Sequence, residues 1–149
     1  MEVTMEQVLG HLNRTEPDYE QAARLGPEAL PLLLRLVQEG DPRLASRATW
    51  LAGFINAGQS VSVLEEAART SDSVVRIAAA GSLRHLSELP APLANDLLSD
   101  QDSGVRLWTL KALETHLPGD FKPQVERIAA NDPKEELREI AGGVANQLP

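Results

Sequence analysis

Apolar residues recur at intervals of three and four along this 149-residue chain, the spacing of α-helices that each bury one face. Four such runs can be laid over one another. They are Leu44, Ala48, Leu51, Ala52 and Ile55; Val75, Ala79, Ser82, Leu83 and Leu86; Val105, Thr109, Ala112, Leu113 and Leu117; and Leu137, Ala141, Val144, Ala145 and Leu148. The fourth fits if its lead-in is two residues longer. Asp41, Asp72, Asp102 and Asp132 precede the runs at spacings of 31, 30 and 30 residues, a period that defines a repeat architecture before any single helix is assigned. An Asp in that place can accept hydrogen bonds from the unpaired N–H groups of a first helical turn, and its charge suits that end of the helix dipole. Each is expected to be an N-cap. Pro42 and Pro133 mark two of the starts again, because a first helical residue needs no N–H partner.

The segments between these runs supply a first helix for each unit: Pro27 to Glu39, about Val61 to Arg69, Pro90 to Ser99, and Gly119 to Ala130. Ser62 with Glu65 suggests a capping box, and so does Thr4 with Gln7. Thr4 to Arg14 and Asp18 to Leu25 form a worn additional pair, whose polar residues Glu2, Glu6, Gln7, Asn13, Arg14 and Glu16 suit a terminal cap. The chain therefore predicts an all-α fold of ten helices in five hairpins. It forms one domain over 1–149, with a degenerate N-terminal capping repeat at 1–26 and repeats at 27–57, 58–88, 89–118 and 119–149.

Composition agrees with close helix packing: 42% of residues are hydrophobic but only 3% aromatic, so burial rests on Leu, Val, Ile and Ala. The net charge of −8 repels phosphate backbones and anionic lipid, which argues against nucleic-acid and membrane partners. With no Cys, disulfides and thiolate chemistry are excluded. The N-terminal MEVTMEQVLG has acids where a signal peptide carries basic residues, and no apolar run could cross a bilayer, so a cytoplasmic protein is expected.

The second helices resemble the HEAT-like repeat family, including the short bacterial type first noted in phycobilisome lyases. The motif is an Asp, then Val-Arg, an Ala three residues on, and a closing Ala-Leu or Ala-Leu-Gly. Asp72, Val75-Arg76, Ala79 and Leu83 carry it here, as do Asp102, Val105-Arg106 and Ala112-Leu113. The first copy has Ala45 where Arg is expected and Arg47 two residues later, but keeps Leu51-Ala52-Gly53; the fourth keeps Leu137-Arg138 and Ala141 but has Gly142-Gly143. The likeness spans about residues 17–148. It implies a right-handed α-solenoid, the recurring Asp and Arg forming a structural ladder between hairpins, and the second helices lining a concave docking face.

Helical-wheel positions left over from the buried set name that face: Ser46, Arg47, Trp50 and Phe54; Ile77, Ala78, Gly81 and His85; Leu107, Trp108, Lys111 and Thr115; Glu139, Ile140, Gly143 and Gln147. The strip holds both Trp residues of the chain, one of its two Phe, and a local excess of base over acid. Apolar patches and Trp or Arg anchors mark interfaces. Arg47, Trp50, Phe54, Ile77, His85, Leu107, Trp108 and Lys111 are therefore the candidate partner-binding residues, for a protein segment with apolar anchors and acidic charge. The competing account is that the Trp residues pack internally, and a minor one is self-association. The chain is expected to be a monomer or weak homodimer.

Catalytic chemistry finds no constellation. His11, His85 and His116 lack a ligand spacing and are expected to be surface or edge residues, Gly142-Gly143 loosens a helix or allows close packing, and Glu65-Glu66 and Glu135-Glu136 suit solvated faces. No catalytic residue, metal or cofactor is expected, and the protein is predicted to be a non-enzymatic adaptor, scaffold or inhibitor. Two enzyme classes of the same fold remain alternatives: a bilin lyase-type subunit using an aromatic concavity, and a DNA glycosylase, which the acidic charge opposes.

Overall fold

Capping chemistry explains where the helices begin. In the computed structural model, which describes residues 2–149, Thr4 and Gln7 bond reciprocally at the start of α1 (Met5–Leu12). Asp18 caps α2 (Tyr19–Ala22), which tightens into a 3-10 turn over Ala23–Leu25. α3 (Leu30–Glu39) follows a proline-led 3-10 turn, and Asp41 caps α4 (Pro42–Ile55) through the Leu44 N–H at 2.9 Å. After α5 (Ser60–Ala68), Asp72 caps α6 (Ser73–Ser82), and after α7 (Ala91–Leu98), Asp102 caps α8 (Ser103–His116). α9 (Lys122–Asn131) and α10 (Glu135–Gln147) complete ten α-helices.

Two capping expectations are corrected. The box at Ser62 does not form, because α5 starts two residues earlier; there the Ser60 hydroxyl accepts from the Ala57 N–H instead. Asp132 does not cap α10, whose cap position is Lys134. The extra two residues shift Asp132 into the register of Asp100, two residues before a cap, and change its role.

Paired helices form two layers. α2, α4, α6, α8 and α10 make one, each packed on the next, while α1, α3, α5, α7 and α9 make the other and pack chiefly on their own partners beyond α5. Small residues let the first layer close tightly: a Cβ on Gly53 would lie 2.7 Å from Ser82 Cβ, a separation that only glycine permits. Tight contact in one layer and looser contact in the other curves the stack with α4, α6 and α8 on the inside. A continuous seam of buried Leu, Val and Ala runs between the layers from Val8 to Leu148. Of the assigned core positions Leu44 and Ile55 are partly buried and Leu117 is exposed. It ends α8 in the left-handed conformation at φ 51° and is 44% exposed.

Arginines tie neighbouring hairpins together. Arg76 holds Asp100 through Nε at 2.9 Å and Nη2 at 3.3 Å, and also reaches back to the Thr70 carbonyl. Arg106 repeats the arrangement one hairpin on, with Asp132 at 2.8 and 3.1 Å and the Asp100 carbonyl at 2.9 Å. The ladder expected from the repeated Arg positions is present, but its acids lie two residues before a cap position and are not the caps themselves. Where Ala45 replaces the arginine, the facing position is Thr70, so that junction has no rung and depends on the Gly53 packing.

Candidate functional site

The inner surface of α4, α6 and α8 is built on three aligned rows. Counting from each capping Asp, the sixth position is Arg47, Ala78 and Trp108, the ninth is Trp50, Gly81 and Lys111, and the thirteenth is Phe54, His85 and Thr115. The middle helix thus places small residues where its neighbours place large ones. The indole of Trp50 extends across α6 onto Gly81, with Cζ3 2.7 Å from where a Cβ would stand, and meets Trp108 edge to face at 6.0 Å between centroids. That separation and tilt are favourable for the ring quadrupoles. Further along, Phe54 lies between Tyr19 at 5.6 Å and His85 at 4.2 Å, so a second aromatic group spans α2, α4 and the turn after α6. Burial raises the Tyr19 pKa against the opposing charge of Arg47. It lowers that of His85, and the Arg84 charge lowers it further, so His85 is neutral at pH 7 and belongs to the surface as an aromatic ring.

The eight expected residues therefore share one face but not one role. Trp50, Phe54, Trp108 and Lys111 are half-buried and line the groove, with Ile77 and Leu107 packed partly against the core beside them. Ser46, Ala78 and Gly81 are buried beneath them, not open as the wheel placed them. Arg47 is not free for a partner. Its guanidinium donates to the carbonyls of Leu12 at 2.7 Å, Arg14 at 2.6 Å and Thr15 at 3.3 Å, closing the C-terminal end of α1. The histidines are half-buried: His85 lies tilted against Phe54, and His116 Nε2 donates to the Leu83 carbonyl at 2.9 Å. Gly142 and Gly143 have open space where a Cβ would stand, so they serve no close packing.

Two residues absent from the expected set, Arg84 and Val74, belong to this face. Arg84 Cζ stands 5.5 Å from the Trp108 ring centroid, and Lys111 Nζ 5.8 Å from it. Arg84 escaped the wheel because α6 tightens into a 3-10 turn over Leu83–His85, where the angle per residue is no longer that of an α-helix. Val74, 57% exposed, lies one turn before Ile77 and Ala78 at helical spacing and extends the apolar strip toward the start of α6. Its signal was in the sequence: an apolar residue two places after a cap, outside the core pattern.

The groove is an open surface. A cleft of about 480 Å³ elsewhere is lined by Asp100, Arg106, Arg127 and Asp132, where Arg106 and Asp132 already bind each other. Among the described residues no group of three or more His, Cys, Asp or Glu is arranged to hold a metal ion, and no helix is long and apolar enough to cross a membrane.

Hairpins stacked in two layers, with arginine rungs and a curved inner face, define an α-solenoid of helical repeats. The model of the HEAT-repeat family matches residues 8–84, just over half of the chain, and the protein belongs to that family. The match runs from within α1 to the end of the second regular unit's second helix; the Arg106–Asp132 rung and α7 to α10 extend the same architecture beyond it. No curated protein matches the chain. HEAT repeats are generally protein-interaction modules.

Proposed function

We propose that this protein is a non-enzymatic binding module that holds another protein along the groove of α4, α6 and α8. The observation carrying this is the edge-to-face pair Trp50 and Trp108, half-buried on the inner face. Large rings held rigid by Gly81 below them offer contact area with little ordering entropy left to lose, the property of interface anchors. Packing on Gly81 and on each other leaves both indoles only half-buried. An adaptor, scaffold or inhibitor would use such a surface equally well, and the groove supplies no nucleophile, base and orienting group for catalysis.

Photo-crosslinking in the source cells tests this without disturbing the fold. A benzophenone amino acid at Trp108 is expected to give a discrete adduct with one or a few proteins, and the same probe at exposed Ser62 on α5 is not. Identical adduct patterns from both positions, or none from position 108, would count against the groove as the docking face.

A further inference from the structure

The two cations over Trp108 make no ion pair, in a protein whose charge is otherwise strongly negative. Among the described residues the ion pairs are Arg69 with Glu66, Arg76 with Asp100 and Arg106 with Asp132, and neither Arg84 nor Lys111 takes part. Neither side chain donates a hydrogen bond to the protein; each instead stands within 6 Å of the same indole. Of the other groups assigned to this face, Arg47 is bound to the end of α1, His85 is neutral, the acid Glu139 on α10 makes no ion pair with either cation, and the neighbouring rows hold Thr115, Ala78 and Gly81.

We propose that Arg84 and Lys111 are the specificity determinants of the groove, selecting a partner segment that carries Asp or Glu beside an apolar anchor. The inference rests on the docking function proposed above and narrows it to one chemistry. An indole flanked by two cations offers an apolar side chain a flat surface, and offers carboxylates on either side of it charge-assisted hydrogen bonds. The free cations also distinguish acidic from neutral partners at little loss, because bringing an anion to them buries no unpaired charge, whereas a basic segment would meet repulsion. A net charge of −8 sets the surroundings against long polyanions, so a short acidic stretch of a protein fits better than a nucleic-acid backbone. Val74 and Ile77 continue the apolar strip on α6, away from the cations, which places the acidic end of the segment at α8 and its apolar end toward the start of α6.

A displayed library of random dodecapeptides, selected against the full chain, provides the test, with the Arg84→Gln/Lys111→Gln double variant and a Trp108→Phe variant selected in parallel. Melting curves verify that each variant is folded. The wild-type selection is expected to enrich peptides with Asp or Glu next to Leu, Ile, Phe or Trp. Synthetic versions of those peptides should bind the double variant about tenfold or more weakly, losing two charge-assisted contacts, and should weaken with rising salt. Trp108→Phe should keep the acid preference, since the cations remain. Enriched peptides that are neutral or basic, or acidic ones that bind the double variant equally well, would overturn the inference while leaving the groove a docking surface. An absence of any enrichment would remove both. Single-stranded oligothymidylate binding more tightly than the selected peptides, and losing that affinity in the double variant, would reassign the cations to nucleic acid.

Discussion

Glycine shows at single-residue scale how this chain distinguishes structure from surface. Gly81 and Gly143 both interrupt second helices, and each lowers helix propensity by about 1 kcal/mol relative to alanine. Their surroundings are opposite. A Cβ on Gly81 would enter the ring of Trp50, whereas one on Gly142 or Gly143 would meet nothing within 4 Å. Gly143→Ala is therefore expected to stabilise the protein by up to about 1 kcal/mol. Gly81→Ala is expected to destabilise it by about 1–2 kcal/mol, overpacking outweighing the propensity gain, and to change the tryptophan emission. Urea titrations followed by circular dichroism and fluorescence check both signs; a stabilising Gly81→Ala would show that the Trp50 ring moves aside freely. The sequence presented these glycines alike, because what separates them is an indole contributed by a helix thirty residues away.

Elements and their junctions were more legible than their exact registers. Hydrophobic spacing and the leading Asp residues placed the four regular second helices, since both signals are local and repeat, and the segments left between them supplied the first helices. Asp132 was misassigned because a cap and a rung acid differ by only two residues, and only the insertion before α10 reveals which it is. The aromatic face was legible as a strip, but Arg47 could not be separated from it: its acceptors, the last carbonyls of α1, are brought near by tertiary packing alone. The buried rung gives an element-scale prediction. With side chains only 13% and 3% exposed, Arg106 and Asp132 are a desolvated pair, and removing one partner leaves the other uncompensated. Asp132→Ala is expected to destabilise by about 3 kcal/mol, and the double replacement Arg106→Met/Asp132→Leu by distinctly less, because it leaves no stranded charge. Denaturant midpoints of the wild type, the Arg106→Met and Asp132→Leu single variants and the double variant decide this. A double variant as unstable as the sum of the two single ones would mean that the pair acts independently and is no rung.

Across the whole molecule, these junctions make stability uneven in a way that pH can expose. A solenoid contacts only its neighbours, so each boundary holds or fails with its own interactions. The boundary between α4 and α6 has no rung and depends on Gly53, Ser82 and Trp50, none of which titrates. The boundary from α8 to α10 depends on Asp132. Burial alone would raise its pKa, but hydrogen bonds from Arg106 and the Lys134 N–H, with the charges of Arg106 and Arg138, bring it below the ordinary carboxylate value of 3.8. A depressed carboxylate stabilises the fold above its unfolded pKa, and that contribution disappears as pH falls through the folded one. Stability from this rung is thus expected to be complete above about pH 5 and to vanish progressively below pH 4. Hydrogen exchange measured down this range should therefore show α8 to α10 losing protection before α3 to α6, and Asp132→Asn should leave α8 to α10 less protected at every pH and so remove the pH dependence of that difference. Simultaneous loss of protection in all helices would mean that the solenoid unfolds as one cooperative unit, with the continuous Leu, Val and Ala seam outweighing the differences between its junctions.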